Sequence, residues 1–225
     1  MYGDIQRYTQ LRLYQSIIEA DKIVVAHASI FRIDEDDDEI LFALSNVEII
    51  FEAHDFKNNF PLLVLSDKTV HEDFPIIVPD KQHLLFLKML QWDNGLAKKM
   101  GIDDSPPIFV VCEGWQSSIC LDFFNAKSLA SQLLAKKYHT HKANELINVV
   151  KEMSLWKNPN LKREEKVEIL LKRLTISDNT IYADNIPPLI SHLGGKVLPR
   201  ETKEVFKKRT KLPIWRGEMI QPLQG

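Results

Sequence analysis

Only two cysteines, Cys112 and Cys120, occur in the 225 residues. That excludes the disulfide framework that staples small secreted domains, and a chain of this length has enough apolar sequence to fold without one. A reducing, cytoplasmic setting is expected. No window approaches the ~18 uninterrupted apolar residues of a membrane span. The opening stretch, Met1-Tyr2-Gly3-Asp4-Ile5-Gln6-Arg7, has no basic start followed by an apolar run, so neither a standard export signal nor a membrane span is expected.

Three motifs are also missing: Gly-x-x-x-x-Gly-Lys for phosphates, Gly-x-Gly-x-x-Gly for dinucleotides, and the His-Glu-x-x-His zinc helix. Nucleotide-driven and zinc-protease functions lose support, and no cofactor is expected. The net charge of −2 gives no bulk attraction for a polyanion, but the charges are unevenly placed. Asp34-Glu35-Asp36-Asp37-Asp38-Glu39 is a block of six acids, whereas Lys196 to Arg216 holds eight Lys or Arg against Glu201 and Glu204.

What is present reads as a mixed α+β chain. Leu11, Tyr14, Ile17 and Ile18 recur at helical spacing within residues 4–20 and predict an opening amphipathic helix. Lys22 to Ile33 and Ile40 to Glu52 are rich in Val, Ile and Phe and read as strands joined through the acidic block. Pro61 to Asp67 and Phe74 to Val78 complete an expected four-strand antiparallel meander. Residues 81–104 read as an insertion with a helical pattern in Leu84, Leu87, Met89 and Leu90, ended by Asp93-Asn94-Gly95 and Pro106-Pro107.

Ile108 to Cys112 and Ser118 to Phe123 are short extended candidates in a cysteine-bearing connection. Helices are predicted over Ala143 to Trp156 and Arg163 to Leu174. Beyond residue 175, Pro187-Pro188, Gly194-Gly195, Pro199 and Pro213 punctuate the chain, leaving only Glu201 to Lys211 for a short basic helix. The expected domains are an α+β core over 1–160 and a helical, basic C-terminal extension over 161–225.

Cys120 is the first candidate for chemistry, because a thiol in a connection between strands and helices is a capable nucleophile if its thiolate is reachable. The competing reading is a packed core cysteine flanked by Ile119 and Leu121. The order helix, meander, proline-bearing connection, Ile119-Cys120-Leu121 and helices resembles the ubiquitin-conjugating family, whose catalytic cysteine occupies an Ile-Cys-Leu setting. Phe74-Pro75 through Pro79, Pro106-Pro107 and Tyr138-His139-Thr140-His141 are similar to segments of its divergent bacterial members over about residues 5–156.

The resemblance implies transfer of a ubiquitin-like modifier through a Cys120 thioester, received from an activating enzyme and passed to an amine, in a bacterial conjugation or defence system. No His-Pro-Asn precedes Cys120. Backbone amides near Ser117 and Ser118, or the side chain of His139, are then the candidate oxyanion donors.

The alternative is a non-catalytic interaction protein. In that reading Lys207, Lys208, Arg209 and Trp215 of the tail pair with phosphates and stack on bases, or the acidic loop docks a basic protein partner. Cys112, Cys120, His139 and His141 offer soft ligands for zinc but lack the Cys-x-x-Cys spacing, so no metal is expected. The acidic block lacks the glycine and spaced carboxylates of a calcium loop.

Overall fold

The computed structural model describes residues 13–34, 39–53, 62–67, 77–90, 107–112, 117–122, 143–176 and 180–193. Strands and helices are both present. Helix α1 spans Tyr14–Glu19, followed by strands β1 (Lys22–Asp34), β2 (Glu39–Glu52), β3 (Leu62–Asp67), β4 (Lys81–Met89), β5 (Ile108–Val111) and β6 (Ser118–Cys120). Helix α2 (Ala143–Ser154) runs into a single 3-10 turn at Leu155–Lys157, and α3 (Arg163–Ile176) and α4 (Thr180–His192) complete the described elements.

The strands do not form the expected meander. β1 pairs with β2 along one edge and with β4 along the other, and the order β1-β2-β3-β5-β4 returns to β1 as a closed barrel. All neighbours are antiparallel except β3 and β5, which run parallel with Val64 opposite Phe109. β5 and β6 lie along one edge of β4: the Phe86 carbonyl accepts from Cys112 N–H, and Phe86 N–H donates to the Ser117 carbonyl, both at 2.9 Å. They thus form one interrupted strand, with residues 113–116 intervening.

Alternation along the strands sorts the side chains into three apolar clusters. Val24, Ala26, Ala28, Phe42, Leu44, Val64, Leu85, Leu87 and Phe109 fill the barrel. Ile23, Val25, Leu84, Phe86 and Ile119 point outward and bury against α1, α2 and α4, together with Leu170 and Leu174 of α3. Leu41, Leu63, Leu65 and Ile108 form a third cluster on the outer face of β2, β3 and β5. Residues on either side of position 160 therefore share one core.

Both ends of the barrel are closed by side chains that β1 helps to hold. Ile77, 1% exposed, packs into the interior, and the turn after it is tied to β1 by Asp80 N–H donating to the Ala28 carbonyl at 2.7 Å. Asp80 has φ 58, a left-handed conformation that aspartate tolerates better than most residues. At the other end buried Lys22 pairs with Glu52 at 2.5 Å and lies 5.4 Å from the Phe109 ring centroid.

Three further expectations differ from the structure. The helical pattern of the presumed insertion belongs in fact to β4. Its Leu84 and Phe86 are buried under helices while Leu85 and Leu87 are buried in the barrel, and a strand covered on both faces reads as a continuous apolar run without period 2. The expected strand at Phe74 to Val78 is reduced, within the described residues, to the non-strand pair Ile77 and Val78.

Pro187 and Pro188 lie inside α4 rather than breaking the chain. Each interior proline costs about 3 kcal/mol, but α4 buries Ile181, Ile186, Leu189 and Ile190, each worth about 1.5–3 kcal/mol. Burial of that face outweighs the lost hydrogen bonds. The predicted basic helix at Glu201 to Lys211 lies outside the described residues, and no helix among those described is long and apolar enough to cross a membrane.

Candidate functional site

β6 places Cys120 opposite His83 of β4. Both are buried, Cys120 at 6% exposure and His83 at 0%. Val78 N–H donates to His83 Nε2 at 3.1 Å, so that nitrogen is unprotonated; Nδ1 carries the proton and donates to the Lys81 carbonyl at 3.0 Å. Burial holds the imidazole below the ordinary histidine range, with the Lys81 carbonyl opposing the shift. The ring is neutral, and both nitrogens are occupied in holding the turn over Ile77. No nitrogen of His83 remains to take a proton from the Cys120 thiol.

Cys112 is 4% exposed. Burial, with the Glu19 carboxylate adding to it, pushes its thiol up to about 12. Neither cysteine is in a disulfide. A thiol of that pKa is thiolate in roughly one molecule in ten thousand at pH 8. Iodoacetamide is therefore expected to modify Cys112 of the native chain at least ~100-fold more slowly than in denaturant, and Cys120 is expected to be slowed by its burial alone, as read by intact mass and peptide mapping. Modification of native Cys120 at the rate of a free thiol would instead favour a reactive nucleophile there.

His139, Lys207, Lys208, Arg209 and Trp215 lie outside the described residues, as do residues 35–38 of the acidic block. Among the described residues no group of three or more His, Cys, Asp or Glu is placed to hold a metal ion. Lys157, in the turn after α2, donates from Nζ to the Ala20 carbonyl and sits 4.7 Å from the Phe51 ring centroid. Burial lowers it to about 8. Its contacts clamp the helical layer onto β2.

A polar surface that the sequence reading did not single out lies on the outside of β1 and β2. Directly opposed residues of an antiparallel pair share a face, and the register sets His27 opposite Ser45, Ser29 opposite Ala43 and Arg32 opposite Leu41. Leu41 belongs to the outer cluster, so His27, Ser29 and Arg32 project outward, and all three are exposed. The register shift between Ile30 and Arg32 leaves Phe31 as the extra residue of a bulge, 54% exposed. The signal was present in the sequence as polar residues at alternate positions within an apolar run, His27 and Ser29.

Comparison with protein-family models, with curated proteins and with solved structures gives no match.

Proposed function

We propose that this chain is a non-catalytic module that binds single-stranded nucleic acid. The observation that carries the reading is a closed five-stranded barrel of order β1-β2-β3-β5-β4-β1, presenting His27, Ser29 and Arg32 on its exposed outer face. Five-stranded Greek-key barrels that bind oligonucleotides and oligosaccharides use the face of their second and third strands and the loops between strands 1 and 2 and strands 4 and 5. Here the β1–β2 connection is the acidic block, which repels phosphate, so it is no part of the proposed path.

Connectivity alone is analogy, so the chemistry of the face matters. A guanidinium pairs with phosphate and, like an imidazole, offers a plane on which an unpaired base stacks. The apolar part of the β2–β3 face, at Leu41, Leu63 and Leu65, is buried, which confines the path to the outer side of β1 and the adjacent part of β2. The sequence between β4 and β5 contains Trp92, Lys98 and Lys99, and the tail contains Lys207, Lys208, Arg209 and Trp215. Both segments supply residue types for the same ligand. The burial of Cys120 supports binding over thioester transfer through that thiol.

Fluorescence anisotropy of a labelled oligothymidylate, titrated with the full chain at several salt concentrations, tests the reading. Affinity is expected to fall with salt by a log–log slope of about −0.7 per phosphate contact. The double substitution H27A/R32E is expected to weaken binding by at least about tenfold with an unchanged circular dichroism spectrum. No binding at low salt, or full affinity in the double variant, would remove the proposal.

A further inference from the structure

Among the described histidines His83 alone is buried, at 0% exposure, while His27 and His192 are exposed. Its Nε2 accepts from Val78 N–H, and its Nδ1–H donates to the Lys81 carbonyl. A second proton has one place to go, Nε2, where it meets a main-chain N–H that can only donate. The closed turn and a charged His83 ring are therefore mutually exclusive.

What the ring holds is the turn over residues 77–80. Ile77 belongs to the interior cluster of the barrel, and Asp80, at φ 58, donates from its N–H to the Ala28 carbonyl of β1. The charged and titratable groups around the ring come from every element packed there. Lys81 is on β4, His27 on β1, Asp80 in the turn itself and the Cys120 thiol opposite on β6, and Asp122, just after β6, lies 3.9 Å from Lys81 Nζ. Burial has the largest influence and disfavours the charged ring. The Lys81 carbonyl and the Asp122 carboxylate oppose it, and His27 adds to it.

We propose that His83 is a proton-operated latch on this end of the barrel: neutral, it holds the turn over residues 77–80 shut, and proton uptake at Nε2 lets that turn go while the rest of the barrel stays folded. The direction follows from linkage. With the turn open, the ring binds a proton near the ordinary value of about 6.5; with the turn closed, it does so only at lower pH. Opening is thus independent of pH well above that ordinary value and favoured as pH falls from it toward the closed-state value. Between about pH 7.5 and about pH 5.0 the open form gains up to about thirtyfold. The latch does not depend on the nucleic-acid reading.

Amide hydrogen exchange of the full chain, followed residue by residue by NMR at about pH 7.5 and about pH 5.0 and corrected for intrinsic rates, tests it. Protection at Val78 and Asp80 is expected to fall by about tenfold or more at the lower pH, while the Phe86 and Cys112 amides keep theirs. His83→Gln, whose side-chain carbonyl accepts from Val78 N–H without titrating, is expected to make Val78 protection independent of pH. Asp122→Asn, which removes the ion pair with Lys81, is expected to leave the fall in place. If H83Q does not fold, nitrogen-15 shifts of the wild-type imidazole decide, since Nε2 should gain its proton only over the pH range in which Val78 loses protection. A ring protonated while Val78 stays protected overturns the proposal. So do unchanged protection at Val78, an equal loss at Phe86 and Cys112, a fall that persists in folded H83Q, or one that vanishes in D122N.

Discussion

Phe86→Ala is expected to cost about 3–5 kcal/mol of folding stability, the range for truncating a buried phenylalanine. The side chain is 0% exposed and stands between the barrel wall and the helical layer, in the cluster that includes Ile23, Val25, Leu146 and Ile186. Its main chain is where β5 gives way to β6: on that one edge its carbonyl accepts from Cys112 N–H and its N–H donates to the Ser117 carbonyl. Those backbone groups are fixed by the strand, so the site cannot collapse around the missing ring and a cavity remains. Urea titration should show a lower midpoint with little change in slope, and the melting temperature should fall by about 10 °C. Met89→Ala, three residues on at 37% exposure, is the control and should shift stability by about 0.5 kcal/mol or less. An equal loss in the two variants would mean that β4 does not join barrel to helices as described.

Asn185→Ala should destabilise the chain by about 2–4 kcal/mol, through hydrogen bonds rather than volume. Helix α1 begins at Tyr14 with Leu13 in the capping position, and leucine has no side-chain acceptor for the amides that a helix leaves unbonded at its start. Asn185 of α4 supplies one from 172 residues away: its Oδ1 accepts from the Leu13 N–H and, at 2.9 Å, from the Tyr14 N–H. Its Nδ2 donates to the Ile181 carbonyl at 2.7 Å, which holds the amide in orientation. Alanine leaves the Leu13 amide buried without its acceptor, since Leu13 is 0% exposed. Amide exchange should accelerate at Leu13 and Tyr14 well beyond the change in the β1–β4 ladder. Unchanged protection of both amides would rule out this capping role.

The site was partly legible in advance. Cys120 drew attention as a thiol between strands and helices, but the same Ile119-Cys120-Leu121 pattern describes a strand with both neighbours in the core, and Cys120 itself lies on the other face of β6 beside buried His83, at 6% exposure. His83 carries no motif at all. Its role depends on Val78 and Lys81 meeting its two nitrogens, a contact that follows only from the turn over Ile77. His27, Ser29 and Arg32 alternate with apolar residues only until the bulge at Phe31 shifts the phase, so sequence periodicity alone would assign Arg32 to the wrong side.

By itself the sequence determined the local elements: β1, β2 and β3 began and ended close to their Val, Ile and Phe runs, and α2 and α3 followed their 3.6-residue stripes. Those signals are local because they reflect which face of a short segment must leave water. Tertiary structure alone decided that Lys22 to Ala28 pair with Leu87 to Lys81 and close the barrel, that two prolines sit within α4, and that Asn185 caps α1. Each of these depends on segments 53 or more residues apart or on a packed layer. A run such as Leu84-Leu85-Phe86-Leu87 states how much surface must be buried, and only the assembled fold decides between which partners.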